Sequence, residues 1–166
     1  DTEFVRVSTL RPKLGLIQLY AGAELVLVDP LTISDWQPLA ALLAAPSVIN
    51  LLHSCNEYLE SFASVGLTRI YPLLDTQLAA ELAGMGSSLG YAKMVEQLLG
   101  KTVDKTESRT DWLARPLAVT QLEYAAHDVL YLYQLKDLLL TKLADPKFLP
   151  LLLAEGEQMI NRRQHQ

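Results

Sequence analysis

Asp1 and Glu3 stand two residues apart, and far downstream Tyr124 stands four residues before Asp128. Strand alternation puts Asp1 and Glu3 on one face, while helical spacing stacks Tyr124 and Asp128 on another. Three carboxylates brought to one place repel each other unless a divalent cation neutralises them. A phenol beside such a cation is neutral near pH 7 and able to hydrogen-bond a water. The chemistry open to this set is metal-assisted hydrolysis. Taken singly, each residue has a plainer role. Asp1 reads as a solvated terminal residue, Glu3 as a surface position on an edge strand, Asp128 as a salt-bridged carboxylate and Tyr124 as a core-edge aromatic. Only their order along the chain points to a site.

The elements that must position these groups follow from periodicity. Residues 14–20 and 24–28 read as two strands joined at Ala21-Gly22-Ala23. Ser34-Asp35 precedes a helix through Leu39, Leu42 and Leu43 that stops near Pro46. A buried strand is expected over 48–52, then a helix from about Asn56 to Ala63, a strand over 70–74, and a helix capped by Asp75-Thr76. Residues 89–99 form a further helix ending on Gly100, and residues 101–111 a polar loop carrying Lys105 and Arg109. Thr120-Gln121-Leu122-Glu123 fits a capping box, so a helix should start there with Leu122, Ala125, Val129 and Leu132 facing the core. The tail beyond Pro146 reads as helical, interrupted at Pro150 and polar at its end. Hairpin first and strand–helix alternation afterwards describe an α/β fold with a mixed central sheet flanked by helices. The first strand looks truncated, because its motif begins at residue 1.

Composition narrows the function. The 166 residues are half hydrophobic, enough for one domain with a real core. Fourteen Lys and Arg against nineteen Asp and Glu leave a net charge of -5, which excludes a histone-like or tail-driven nucleic-acid binder. The single Cys55 can form no internal disulfide, which fits a reducing cytoplasm. No apolar run reaches membrane-spanning length, and no basic-then-apolar leader is present, so a cytoplasmic protein free of the membrane is expected.

Six stretches occur together in one order: Asp1-Thr2-Glu3-Phe4, residues 15–19 (GLIQL), residues 53–60 (HSCNEYLE), residues 74–77 (LDTQ), residues 109–117 (RTDWLARPL) and residues 124–128 (YAAHD). In this set the sequence resembles the ribonuclease D family of 3′-5′ exonucleases, in the subgroup of the DEDD class that uses Tyr in its last motif. The resemblance implies a ribonuclease H-like fold, with an exonuclease domain over 1–144 and a helical segment over 145–166 leading toward HRDC domains absent from this sequence. It implies two Mg²⁺ or Mn²⁺ ions, with Asp1 bridging both and Glu3 and Asp128 completing the site of the nucleophile's ion. Tyr124 would orient the attacking water. The substrates implied are single-stranded RNA 3′ ends and tRNA precursors, trimmed to nucleoside 5′-monophosphates by a monomer. Two alternatives stand beside this reading: an inactive module that binds RNA 3′ ends, and a DNA-directed exonuclease.

One position departs from the family pattern. Tyr58 stands where the second motif carries its metal-site Asp, so the second ion loses a ligand and turnover is expected to suffer. A phenol is neutral at pH 7 and a poor ligand for Mg²⁺. On a helix, Glu57 points about 100° and Glu60 about 200° away from position 58, so neither substitutes. Lys105 and Arg109 are candidates for contacts to substrate phosphates, against the alternative of ordinary loop charges. Phe4 either stacks on the terminal base or packs in the core. Trp112 is expected to pack under the loop, His53 to serve as a structural hydrogen-bonding residue, Cys55 to be buried and inert, and His127 to face solvent.

Overall fold

The computed structural model describes residues 1–6 and 12–164. Alternating apolar residues and the turn at Gly22, whose φ of 65° suits glycine, build a three-stranded antiparallel sheet in the order β1 (Thr2–Val5), β2 (Lys13–Ala21) and β3 (Glu24–Val28). A second sheet is a parallel pair, β4 (Asn50–Leu52) with β5 (Leu73–Asp75). The antiparallel and parallel pairings of a mixed α/β fold are therefore both present, in two separate hydrogen-bonded sheets among the described residues. Helices α1 (Gln37–Leu43), α2 (Cys55–Ala63), α3 (Thr76–Leu82), α4 (Tyr91–Leu99), α5 (Val119–Leu130), α6 (Leu132–Leu143) and α7 (Phe148–Gln164) pack around these strands.

Because successive strand residues face opposite ways, β5 divides the interior. Leu73 enters a core with Ile17, Leu52, Phe62 and Ile160, whereas Leu74 enters another with Ala80, Met94, Leu135 and Leu152. Helix α7 serves both cores and crosses β5 at Gly156, where a Cβ would run into the Leu73 carbonyl oxygen. A third, smaller cluster joins Leu16 of β2 to Ala125 of α5 through the fully buried Trp112. Gly15 permits that approach, since a Cβ there would lie 2.5 Å from the Trp112 carbonyl oxygen. Arg115 fastens the same segment: its guanidinium donates to the carbonyls of Gly15, Trp112 and Ala114 and to both carboxylate oxygens of Asp29.

Several expectations need correction: the strand expected over 70–74 pairs only over Leu73–Asp75, and Leu132 begins α6 instead of continuing the α5 stripe. Helix α5 begins at Val119 rather than at Thr120, because the Gln121 side chain accepts from the Ala118 N–H at 2.9 Å and satisfies that end one position earlier. Its buried stripe is Gln121, Ala125 and Val129, and Leu122 faces outward at 36% exposure. Pro150 does not interrupt α7, because it falls in the first turn, where its missing N–H has no helical partner to lose. Finally, Val48 and Ile49 lie outside β4 and are exposed.

Candidate active site

Three elements converge on one cleft. The backbone of Asp1 extends the β1–β2 ladder by exchanging two hydrogen bonds with Gln18. Glu3 follows on the same strand, its Oε1 accepting from Gln18 Nε2 at 3.0 Å. Helix α2 is set against β1 by two buried hydroxyls, with Thr2 Oγ1 and Ser61 Oγ 2.7 Å apart. Its N-terminus is held by Asp75, whose carboxylate accepts from the Ser54 and Cys55 N–H groups while capping α3 through Gln77 N–H. One turn along α2 stands Tyr58. From the other side, α5 supplies Tyr124 and Asp128, held over β2 by Trp112 and Ala125. The cleft, about 190 Å³ in volume, is lined by Asp1, Tyr58, Tyr124 and Asp128 and walled by His53, Tyr91, Lys105 and Ser108.

Carboxylate oxygens of Asp1, Glu3 and Asp128 all lie within 4.8 Å of one another. Burial, then the hydrogen bond and charge of Asp128, push Glu3 up to about 9, and burial likewise raises Asp128. Without a cation the two acids therefore share a proton at neutral pH. The same burial and carboxylates raise Tyr124 and Tyr58 above the usual phenol range, so both phenols stay protonated. Three close, partly buried hard-oxygen donors that hold a proton for want of positive charge are a chemical fit for Mg²⁺ or Mn²⁺.

The titration sets a test of stability. Folded Glu3 and Asp128 bind protons more tightly than their unfolded counterparts, so in the metal-free protein the stability these two groups contribute is fully present below the unfolded values and is lost as pH rises toward about 9. A cation replaces the proton, so stabilisation by Mn²⁺ should grow across the same window. Thermal melts with Mn²⁺ or EDTA at about pH 5 and about pH 8.5 should show a larger Mn²⁺-induced rise in Tm at the higher pH. An equal rise at both would contradict the shared proton.

Other residues fall where their chemistry allows. Lys105 reaches the cleft from the polar loop, whereas Phe4 and Arg109 do not line it. Phe4 follows a register shift in the β1–β2 pairing and is half-buried, and Arg109 is exposed in a turn. His53 is a bridge: its Nε2 donates to the Leu89 carbonyl and its Nδ1 pairs with the Thr76 hydroxyl at 2.9 Å. Cys55 is fully buried and its thiol is pushed upward by burial, while His127 is exposed. Sequence reasoning missed Gln18, Tyr91 and Ser108. Gln18 left a signal, as a polar residue within an apolar strand; Tyr91 and Ser108 left none.

A sequence model described as 3′-5′ exonuclease matches residues 1–144. The chain belongs to the 3′-5′ exonuclease family. Ribonuclease D of Shewanella sp. (strain ANA-3) is 53% identical over 163 residues, covering 98% of this chain and 42% of that protein. The crystal structure of Escherichia coli RNase D, an exoribonuclease involved in structured RNA processing, superposes with a TM-score of 0.92 at 50% identity, over 99% of this chain and 44% of that one. Brucella melitensis NrnC with bound Mg²⁺ gives a TM-score of 0.84 at 26% identity, over 99% of this chain and 81% of that one. The fold is ribonuclease H-like, and the chain spans about two fifths of the length of the ribonuclease D relatives it matches. Among the described residues no helix is long and apolar enough to cross a membrane.

Proposed function

We propose that this chain is a ribonuclease D-type exoribonuclease domain that engages single-stranded RNA 3′ ends, including those of tRNA precursors, as a cytoplasmic monomer. The observation that carries this reading is the approach of Asp1, Glu3 and Asp128 in one cleft beside Tyr124, on a 3′-5′ exonuclease fold. The products are nucleoside 5′-monophosphates. When bound at the three carboxylates, Mg²⁺ or Mn²⁺ supplies charge neutralisation at the scissile phosphate and acidifies water. Tyr124, kept protonated by its buried and acidic surroundings, donates or accepts a hydrogen bond that orients the attacking water. Lys105 at the cleft edge meets the backbone phosphates, a contact that holds register without reading sequence.

Tyr58 in the same cleft favours a second reading, in which the domain grips a 3′ end and turns it over poorly. Both readings are tested with a labelled single-stranded RNA in Mn²⁺, by anisotropy for binding and gel analysis for trimming. Binding should require a free 3′ end, and Lys105→Met should weaken it several-fold while lowering the salt slope by about one. Unlabelled DNA of the same sequence as competitor reports sugar preference: DNA competing better than RNA would make the domain a DNA-directed exonuclease. Lys105→Met binding with unchanged affinity and salt slope would remove Lys105 from the substrate path.

A further inference from the structure

We propose that Tyr58 limits this cleft to one divalent ion, held by Asp1, Glu3 and Asp128. The inference rests on the nuclease reading of the site and concerns its capacity. Two-ion phosphodiesterase centres place their metals about 3.5–4 Å apart, so a second ion here must lie against the wall of the same cleft. Tyr58 is part of that wall, and its ring packs against the core around Leu59 and Phe62. It gives that wall a neutral phenol in place of a charged ligand.

Charge balance separates one ion from two. Three carboxylates against one doubly charged ion leave a single negative charge. Against two ions they leave a single positive charge in a partly buried cleft, which is costly without a further anion. A carboxylate at position 58 would bring the two-ion site to neutrality. One other acid, Asp104, lines the cleft, from the rim rather than from within the acid cluster. Both oxygens of Asp104, exposed on the loop, accept from Thr106. Asp75 is committed to the backbone N–H groups of Ser54, Cys55 and Gln77. Glu60 pairs with Arg6 at 2.7 Å and approaches Arg163 at 3.9 Å, and Glu57 is exposed to solvent. Within the described residues, the three-acid cluster takes in none of these four. One vacancy in charge, at one position, therefore sets the stoichiometry.

Calorimetric titration of the full chain with Mn²⁺, in a buffer free of phosphate and nucleotide so that no outside anion offsets the charge, tests this directly. The expected stoichiometry is one ion for this chain and for Tyr58→Phe, and two for Tyr58→Asp. Electron paramagnetic resonance of the Mn²⁺-loaded samples adds an independent readout, with an exchange-coupled pair only in Tyr58→Asp. Two ions on the unaltered chain would overturn the inference while leaving the nuclease reading intact. No ion on any of the three proteins would overturn the nuclease reading itself. Should Tyr58→Asp fail to fold, as judged by circular dichroism, the count on the unaltered chain and on Tyr58→Phe still decides.

Discussion

Restoring a carboxylate by Tyr58→Asp should raise Mn²⁺-dependent trimming of a single-stranded RNA 3′ end by about a hundredfold or more. That magnitude is what mutagenesis assigns to one well-placed electrostatic group at a developing charge. The geometry supports a gain here, since position 58 lines the cleft with Asp1, Tyr124 and Asp128 and faces no competing cation among the lining groups except Lys105. The same change has a cost in the metal-free protein. A fourth acid would join Asp1 and the proton-sharing pair Glu3 and Asp128, so the variant should melt earlier than the parent in EDTA and later in Mn²⁺. Asp128→Asn placed on top of Tyr58→Asp should return trimming to the level of the parent, which separates the engineered site from any contaminating nuclease. Equal trimming rates for the parent and Tyr58→Asp would show that Tyr58 does not limit turnover.

The second large effect lies far from the cleft. Gly156→Ala should destabilise the domain by about 3 kcal/mol, enough to lower Tm by roughly 10 °C in a chain of this size. In an exposed helix the same substitution stabilises by about 1 kcal/mol. Here the added methyl meets the Leu73 carbonyl oxygen, a backbone atom that cannot rotate away. Helix α7 must then shift off β5, loosening Ile160 in one core and Leu152 in the other. Thermal or urea melts check the sign as well as the size. An unchanged or higher Tm would mean that α7 is not docked on β5 as described.

How much of this was legible beforehand follows from the range of the forces involved. The β2–β3 hairpin, the Asp75 cap of α3 and the Gly100 end of α4 are local, and local sequence carried them. The start of α5 depended on which side chain reached the Ala118 N–H. Thr120 and Gln121 sit side by side, and the amide is the group that arrives. Its Nε2 also reaches Thr110 Oγ1 and the Asp111 carbonyl, a tertiary demand that turns Gln121 inward and Leu122 out. Val48 and Ile49 look like a strand because β-branched apolar residues usually pair, but pairing in β4 begins only at Asn50, opposite Leu73. For the site, the spacings of Asp1 with Glu3 and Tyr124 with Asp128 were visible as periodicities. That both pairs reach one point is a property of β1 and α5 packing across β2. The place of Tyr91 and Ser108 in the same wall could not be read from spacing, since the loop that carries Ser108 has no period.

The division of the interior by β5 has a consequence for how the chain comes off the ribosome. Leu73 and Leu74 emerge before α3 to α6, yet the helix that covers this strand follows all four of them. Until α7 arrives, a parallel strand pair stays without its cover, the kind of apolar edge on which nascent chains aggregate or recruit chaperones. The β1–β3 sheet can form well before that point, because its pairings are close in sequence. Synthesis therefore delivers the strand that bears Asp1 and Glu3 well before the helix that seals β5. A ribosome paused ahead of α7 would hold out an acidic motif on a body not yet closed.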